Sequence, residues 1–183
     1  MTAKRVLVIG GAGYIGAHVC EELVAVGYKV RIYDDFSNGL RTRITAFPDL
    51  VEANILDRDS LIKALQGVDS VIHLAAKKAV EESVADPLKY YENNFGGTLN
   101  ILMAMHEANV KRIVFSSTAA VYSPSDKSAI TEEDATVPLS PYGATKLLAE
   151  QLITSVGKAE GVSSISLRYF NVCLLYTSPS PRD

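Results

Sequence analysis

The apolar run Val6-Leu7-Val8-Ile9, followed by glycines at Gly10, Gly13 and Gly16, constrains this chain more than any other stretch. Four consecutive apolar residues read as a short buried strand. Gly10 lets the backbone leave that strand sharply. Gly13 removes a Cβ where a phosphate would approach the main chain, and Gly16 lets the next helix pack close to the sheet. A helix opening at Tyr14 and Ile15 aims N–H groups and a positive dipole end at an anion. The G-x-x-G-x-x-G spacing therefore points to a dinucleotide-binding turn, although a tight strand-to-helix turn alone has the same look. The flanks favour the first reading. His18 to Val26 forms an amphipathic pattern with Val19, Leu23 and Val26 on one face, and Gly27 ends it.

The rest of the composition narrows the class. A chain of 183 residues with 48% hydrophobic content suits one α/β domain. A net charge of −3 with mixed signs gives no reason to expect a nucleic acid or an anionic membrane as partner. No apolar run approaches the length of a membrane span, and no signal peptide is recognised. Two cysteines, Cys20 and Cys173, make no disulfide framework, so a reduced cytoplasm is expected, with Cys20 a small core residue. No His, Cys, Asp or Glu cluster has metal-ligand spacing, so no metal is expected.

Further along, Lys29 to Tyr33 reads as a second strand ending in Asp34-Asp35. Asp34 stands about twenty residues past the glycine turn, where a carboxylate accepts from an adenosine ribose and repels a 2′-phosphate, so NAD is favoured over NADP. Phe36-Ser37-Asn38-Gly39 continues as a polar loop able to close over the adenosine. Leu50 to Ala53 reads as a third strand. Asp57 to Gln66 reads as a helix capped by Asp57 and stopped by Gly67, with Leu61, Ile62 and Leu65 inward. Val71 to Ala76 is the fourth strand and its exit, whose small Ala75 and Ala76 suit a close cofactor. His73 in that apolar run reads as a hydrogen-bonded core residue rather than a ligand. Asp86-Pro87 opens a helix to about Asn109, and Gly96-Gly97 in its middle suggests close packing or cofactor contact. Arg112 to Phe115 is the fifth strand, followed by Ser116-Ser117-Thr118. Ser123 to Pro141 reads as a surface loop, Tyr142 to Glu160 as a helix and Ser164 to Arg168 as the sixth strand. Strands alternate with helices, which predicts a Rossmann-like, doubly wound parallel sheet.

Tyr142 and Lys146 stand one helical turn apart and share a face. A free phenol titrates near pH 10, but a fixed ammonium beside it favours the phenolate. Thr118, at a strand end, would hydrogen-bond the same substrate oxygen, and Lys146 would also donate to a nicotinamide ribose. The three describe proton transfer at a carbinol while NAD takes the hydride.

At this point the chain resembles the extended short-chain dehydrogenase/reductases, and among them the UDP-hexose 4-epimerases. The resemblance is carried by Gly10 to Gly16, Tyr33 to Gly39, Val71 to Ala75, Lys78 to Val80 with Glu82-Ser83, Tyr90 to Asn94, Phe115 to Thr118, Tyr142 to Lys146 and Leu167 to Asn171, in family order. It implies that Tyr14, Ile15, Asp34, Asp35, Phe36, Ser37, Asn38, Gly39, Asn54, Ile55, Leu74, Ala75, Ala76, Lys78, Asn93, Tyr142, Lys146 and Phe170 contact NAD. It implies that Thr118, Tyr142 and Asn171 meet a UDP-sugar. Tyr142 would take the proton of the sugar 4-hydroxyl, and the 4-keto sugar would turn over in the site before reduction on its other face. A homodimer through the two long helices is also implied. Several positions depart from the family pattern. Ile9 stands for Thr, Asn54 for an Asp beside adenine, Gly96 for Asn, Ser123 for Gly, and Thr118 for Ser with its hydroxyl kept.

After Asn171 the resemblance stops, and Val172 stands where Pro is expected. The resemblance implies a further domain that clasps the nucleotide-sugar, and that domain is expected to be missing here. Residues 173–183 back-translate as a transposase-type sequencing adapter, so 172–183 is expected to be a non-native tail and 1–171 the NAD-binding domain. Other readings stay open: another epimerase, a dehydratase, decarboxylase or reductase on the same scaffold, or a non-catalytic NAD-binding fragment. Ala119-Ala120 after Thr118 stands where dehydratases carry an acidic pair, which argues against elimination.

Overall fold

A computed structural model describes residues 4–123, 129–170 and 172. Six strands form one sheet: β1 (Arg5–Ile9), β2 (Lys29–Asp34), β3 (Leu50–Glu52), β4 (Ser70–His73), β5 (Arg112–Thr118) and β6 (Ser163–Tyr169). Their spatial order is β3-β2-β1-β4-β5-β6, and every neighbouring pair is parallel. The order turns back at β1–β4, so a crevice opens there at the carboxyl ends of the strands. The doubly wound Rossmann-like sheet expected from the alternation is the fold observed.

Two apolar layers hold the sheet. On one face α1 (Tyr14–Ala25) and the segment around Ile44 and Phe47 cover Val6, Val8, Val30 and Ile32. On the other, α2 (Arg58–Ala64), α5 (Gly97–Glu107) and α6 (Pro141–Glu160) cover Leu7, Ile9, Tyr33, Val71, Ile113 and Phe115. Alternate residues of β1, β2, β3 and β4 enter opposite layers, as the period of two requires.

Some expectations are corrected. The inward stripe of α1 is Gly16, Ala17 and Cys20, with Leu23 packed beside it, whereas Val26 is 69% exposed. Small residues let α1 sit close to the sheet, so the larger Val26 falls past its end. The helix expected from Asp86 to Asn109 is broken. A short helix α4 (Pro87–Tyr90), capped by Asp86, runs into a wider π-type turn at Tyr91–Gly96 before α5 begins. A further short helix, α3 (Val80–Ala85), buries only Ser83, so it leaves no periodic apolar signal to read. Of the Gly96-Gly97 pair, Gly97 is the packing position, because a Cβ there would stand 2.4 Å from Ile55 Cδ1. β5 runs on to Thr118 rather than ending at Phe115, so Ser116-Ser117-Thr118 is strand. Asp57 caps α2 as expected, its side chain accepting from Ser60 N at 3.0 Å. Asn171, Cys173 and the tail 173–183 lie outside the described residues. No helix among the described residues is long and apolar enough to cross a membrane.

Candidate active site

The glycine turn is built by backbone proximity. Gly10 has φ +86°, and a Cβ on it would meet Ala75 N at 2.6 Å. Its N–H donates to Tyr33 O at 2.8 Å, which ties the turn to β2. A Cβ on Gly16 would stand 2.2 Å from Gly10 O, so the first turn of α1 lies directly on the strand exit. A Cβ on Gly13 would meet only Gly10 O, at 3.2 Å. Its outer side is thus open, and α1 begins at Tyr14 with no side-chain cap on its N–H groups. An open backbone concavity with uncapped helical donors fits the pyrophosphate of a dinucleotide. Ile15 is half-buried beside it.

Asp34 is buried; one oxygen braces that turn and the other braces its own exit from β2. One accepts from Ala12 N at 2.9 Å and the other from Phe36 N at 2.8 Å. Its first task is therefore structural, with lone pairs left for a ribose hydroxyl. The loop Phe36 to Gly39 docks onto the glycine turn. Leu40 N donates to Ala12 O at 3.0 Å, and a Cβ on Gly39 would meet Ala12 and Asp34 at 2.8 Å. Arg41 stacks over the Phe36 ring at 4.0 Å. Asp35 is exposed and accepts from Ser37 and from Asn54 Nδ2, the latter at 2.7 Å. Burial raises the Asp35 carboxyl, but the hydrogen bonds from Ser37 and Asn54 outweigh it and leave it below its ordinary value. The Asn54 amide oxygen accepts from Leu56 N at 2.9 Å, so Asn54 is a strut between the β2 and β3 exits. Ile55 is buried against Gly97.

Across the crevice, Leu74 N and Ala75 N both donate to Ile9 O, at 2.8 and 3.0 Å, which brings the β4 exit and Ala76 beside the glycine turn. Asn94, on the π-type turn, ties this exit to α6. It accepts from Lys77 N at 2.8 Å and donates to Lys77 O at 3.0 Å and to Thr145 Oγ1 at 3.3 Å. Asn93 is half-buried next to it, and Ser37, Asn38, Lys78 and Phe170 are exposed at the same edge.

α6 starts with Ser140 as its cap, accepting from Gly143 N at 3.1 Å. Tyr142 and Lys146 follow on one face. The Thr118 hydroxyl accepts from Ala120 N at 3.1 Å and lies close enough to the Tyr142 phenol to act on its titration. Burial pushes the Tyr142 phenol above its ordinary value, and the nearby Thr118 hydroxyl pulls it partway back. Lys146 is 3% exposed, and its Nζ lies 4.5 Å from the Phe115 ring centroid. Burial lowers it to about 7, against a smaller upward pull from Glu150. The ammonium expected to hold the phenol down is therefore only partly charged at neutral pH. His73 is a core residue as expected, 1% exposed, with Nε2 3.2 Å from Thr98 Oγ1. Burial, then Lys146, lowers it to about 3, so it is neutral. Among the described residues no group of three His, Cys, Asp or Glu side chains is placed to hold a metal.

Sequence reasoning passed over Asn94, Glu150 and Arg168. Glu150 continues the Tyr142–Lys146 spacing by one further turn, a signal that was present in the chain. Asn94 and Arg168 stood only inside stretches that carry the family resemblance, with no role assigned, because their partners are far away in sequence.

With this geometry in view, comparison with known proteins is direct. Residues 6–182 match the NAD dependent epimerase/dehydratase family. The UDP-glucose 4-epimerase of Azospirillum brasilense is 46% identical over 172 residues, covering 93% of this chain and 49% of that protein. The crystal structure of the Brucella ovis UDP-glucose 4-epimerase in complex with NAD superposes with a TM-score of 0.89 at 41% identity, covering 92% of this chain and 52% of that one. The Stenotrophomonas maltophila UDP-glucose 4-epimerase with bound NAD and formylated UDP-arabinopyranose gives 0.87 at 40% identity, covering 92% and 53%. The chain spans about half the length of the relatives it matches. A parallel sheet with a glycine cradle at its reversal point, and a tyrosine–lysine pair on the last helix beside it, is thus accounted for by descent: the chain belongs to the NAD dependent epimerase/dehydratase family.

Proposed function

We propose that this chain carries the cofactor-binding and acid–base half of a UDP-hexose 4-epimerase interconverting UDP-glucose and UDP-galactose. The observation that supports this most is the meeting of Thr118, at the carboxyl end of β5, with Tyr142 and Lys146 on the first turns of α6, across the crevice from the glycine cradle. NAD, when bound, supplies the hydride acceptor and donor for carbon 4 of the sugar. Tyr142, as phenolate, takes the proton of the 4-hydroxyl and returns it to the same oxygen when the 4-keto sugar is reduced on its other face. Thr118 hydrogen-bonds that oxygen and holds it against the phenol. Lys146 donates to a ribose hydroxyl and, when protonated, favours the phenolate. Asp34 and the Asp35–Asn54 strut hold the adenosine side, with Gly13 leaving room for the pyrophosphate and Gly10 and Gly16 letting the turn pack on β4 and α1 close on the strand exit.

Burial raises the Tyr142 phenol, so the phenolate fraction and the rate should climb with pH through the neutral range. Remote contacts to the nucleotide normally help position the reacting sugar, and the matched relatives are twice as long. Turnover by the chain alone should therefore fall well below that of the whole protein, in rate as well as affinity. The whole protein is read as a cytoplasmic homodimer of galactose metabolism. Leu88, Tyr91, Leu99, Met103 and Leu148 support the dimer, since all are exposed apolar residues on α4, the π-type turn, α5 and α6.

Fluorescence titration with NAD and NADP, followed by a UDP-galactose to UDP-glucose assay, tests the reading. Saturable binding that prefers NAD and slow conversion abolished by Tyr142→Phe are expected. No NAD binding, or conversion unaffected by Tyr142→Phe, would reject it. Resequencing across the Asn171 codon checks whether residues 172–183 are native.

A further inference from the structure

Glu150 lies two turns along α6 from Tyr142, on the face that carries Lys146, and is 7% exposed. Its carboxylate accepts from two strands at once. The Ser117 hydroxyl of β5 donates to it, as do Arg168 Nε and Nη2 of β6, at 3.1 and 2.7 Å. Ser117 and Arg168 are register partners across the β5–β6 pair, so a single carboxylate closes the corner between the helix and two strands. The third arm of the fork, Arg168 Nη1, donates to Tyr122 OH at 2.6 Å, and the guanidinium lies 5.0 Å from the Tyr122 ring centroid. Tyr122 directly follows the 3-10 turn Ala119–Val121 that the Thr118 hydroxyl caps. Thr118 is therefore bracketed. The residue before it is held by Glu150, and the turn after it is held by Arg168.

A buried ion pair is a weak source of stability compared with apolar packing, whereas a two-pronged guanidinium–carboxylate contact fixes direction and spacing well. We propose that Glu150, Arg168 and Ser117 form a positioning clasp that sets the separation between Thr118 on β5 and the Tyr142–Lys146 face of α6. This rests on the reading of Tyr142 as the acid–base group. None of the three clasp residues is itself catalytic. When the clasp opens, Thr118 loses its alignment with the phenol and the phenol reverts toward the value set by burial. The titratable groups around Tyr142 and Lys146 are Tyr90 from α4, His73 from β4 and Glu150 on α6 itself.

The test uses the 183-residue chain labelled with 13Cζ-tyrosine, the Tyr142 resonance being identified by its loss in Tyr142→Phe. Its pH midpoint is then compared in Glu150→Gln, Arg168→Lys, Ser117→Ala and Glu150→Asp. Glu150→Gln and Arg168→Lys should raise the midpoint by about one pH unit, and Ser117→Ala by less. Glu150→Asp, which keeps the carboxylate, should lie nearer the parent chain. Arg168→Lys keeps the charge, so a shift there reads geometry and not charge. If Glu150→Gln fails to fold, Arg168→Lys and Ser117→Ala decide alone. Folded variants with the parent midpoint would overturn the clasp. Lack of NAD binding or of epimerisation by the parent chain would instead reject the function proposed above, and the midpoint comparison would still stand.

Discussion

The two halves of the sheet are built alike and finished differently. β1 and β2 are covered on both faces, with Val6, Val8, Val30 and Ile32 under α1 and Leu7, Ile9 and Tyr33 under the opposite helices. Beyond β4, whose Ile72 still packs against the α1 layer, β5 sends its buried apolar residues to the α6 side alone and β6 is largely exposed. On the other side Ile72, Val114 and Ile165, aligned in register, line an apolar groove of about 360 Å³ beside Leu23 and Tyr28. Ile165 is 59% and Leu167 39% exposed there. Even so, Thr118, Tyr142 and Lys146 sit in the less covered half, held by α6 and its carboxylate. The glycine turn depends on packing from both sides, whereas the face carrying Thr118, Tyr142 and Lys146 depends on one helix and a few hydrogen bonds.

The largest expected effect comes from the cradle. Gly16→Val puts a side chain where even a Cβ meets Gly10 O at 2.2 Å. Loss of any saturable NAD-dependent fluorescence change, with a degraded unfolding transition, is expected. If NAD binding survived, the backbone approach would not be limiting. Next, Ile32→Ala, at 0% exposure in the doubly covered half, should lower stability by about 2–5 kcal/mol in urea denaturation. Third, Lys146 is held near 7 when folded but titrates near its ordinary 10.5 when unfolded. Between those values the unfolded chain binds the extra proton. The cost to the folded state therefore grows as pH falls from 10.5 to 7 and is constant below. Lys146→Met should remove it, raising the Tm at pH 7 by about 3 °C or more, with little gain at pH 10.5. Stability would then rise as catalysis is lost. The smallest effect belongs to Ile165→Ala on the open half, expected within about 0.5 kcal/mol of the parent in the same denaturation. A cost equal to that of Ile32→Ala would mean that this face is covered in solution.

Much of this molecule was determined by its sequence alone, because the signals are local. The apolar run of β1, the glycine spacing after it, Asp57 before α2 and Tyr142 one turn from Lys146 all state their roles within a few residues. Local backbone geometry and helical period are short-range properties, so a linear reading reaches them. The break in the helix after Asp86 was decided by tertiary structure. There Asn94 reaches Lys77 and Thr145, and Gly97 admits Ile55. Tertiary packing also set the protonation of the site. Lys146 is driven toward neutrality by burial among residues far away in the chain, and Asp34 is turned to brace Ala12 and Phe36. Desolvation and long-range hydrogen bonds depend on which segments meet in space, and no spacing along the chain encodes that.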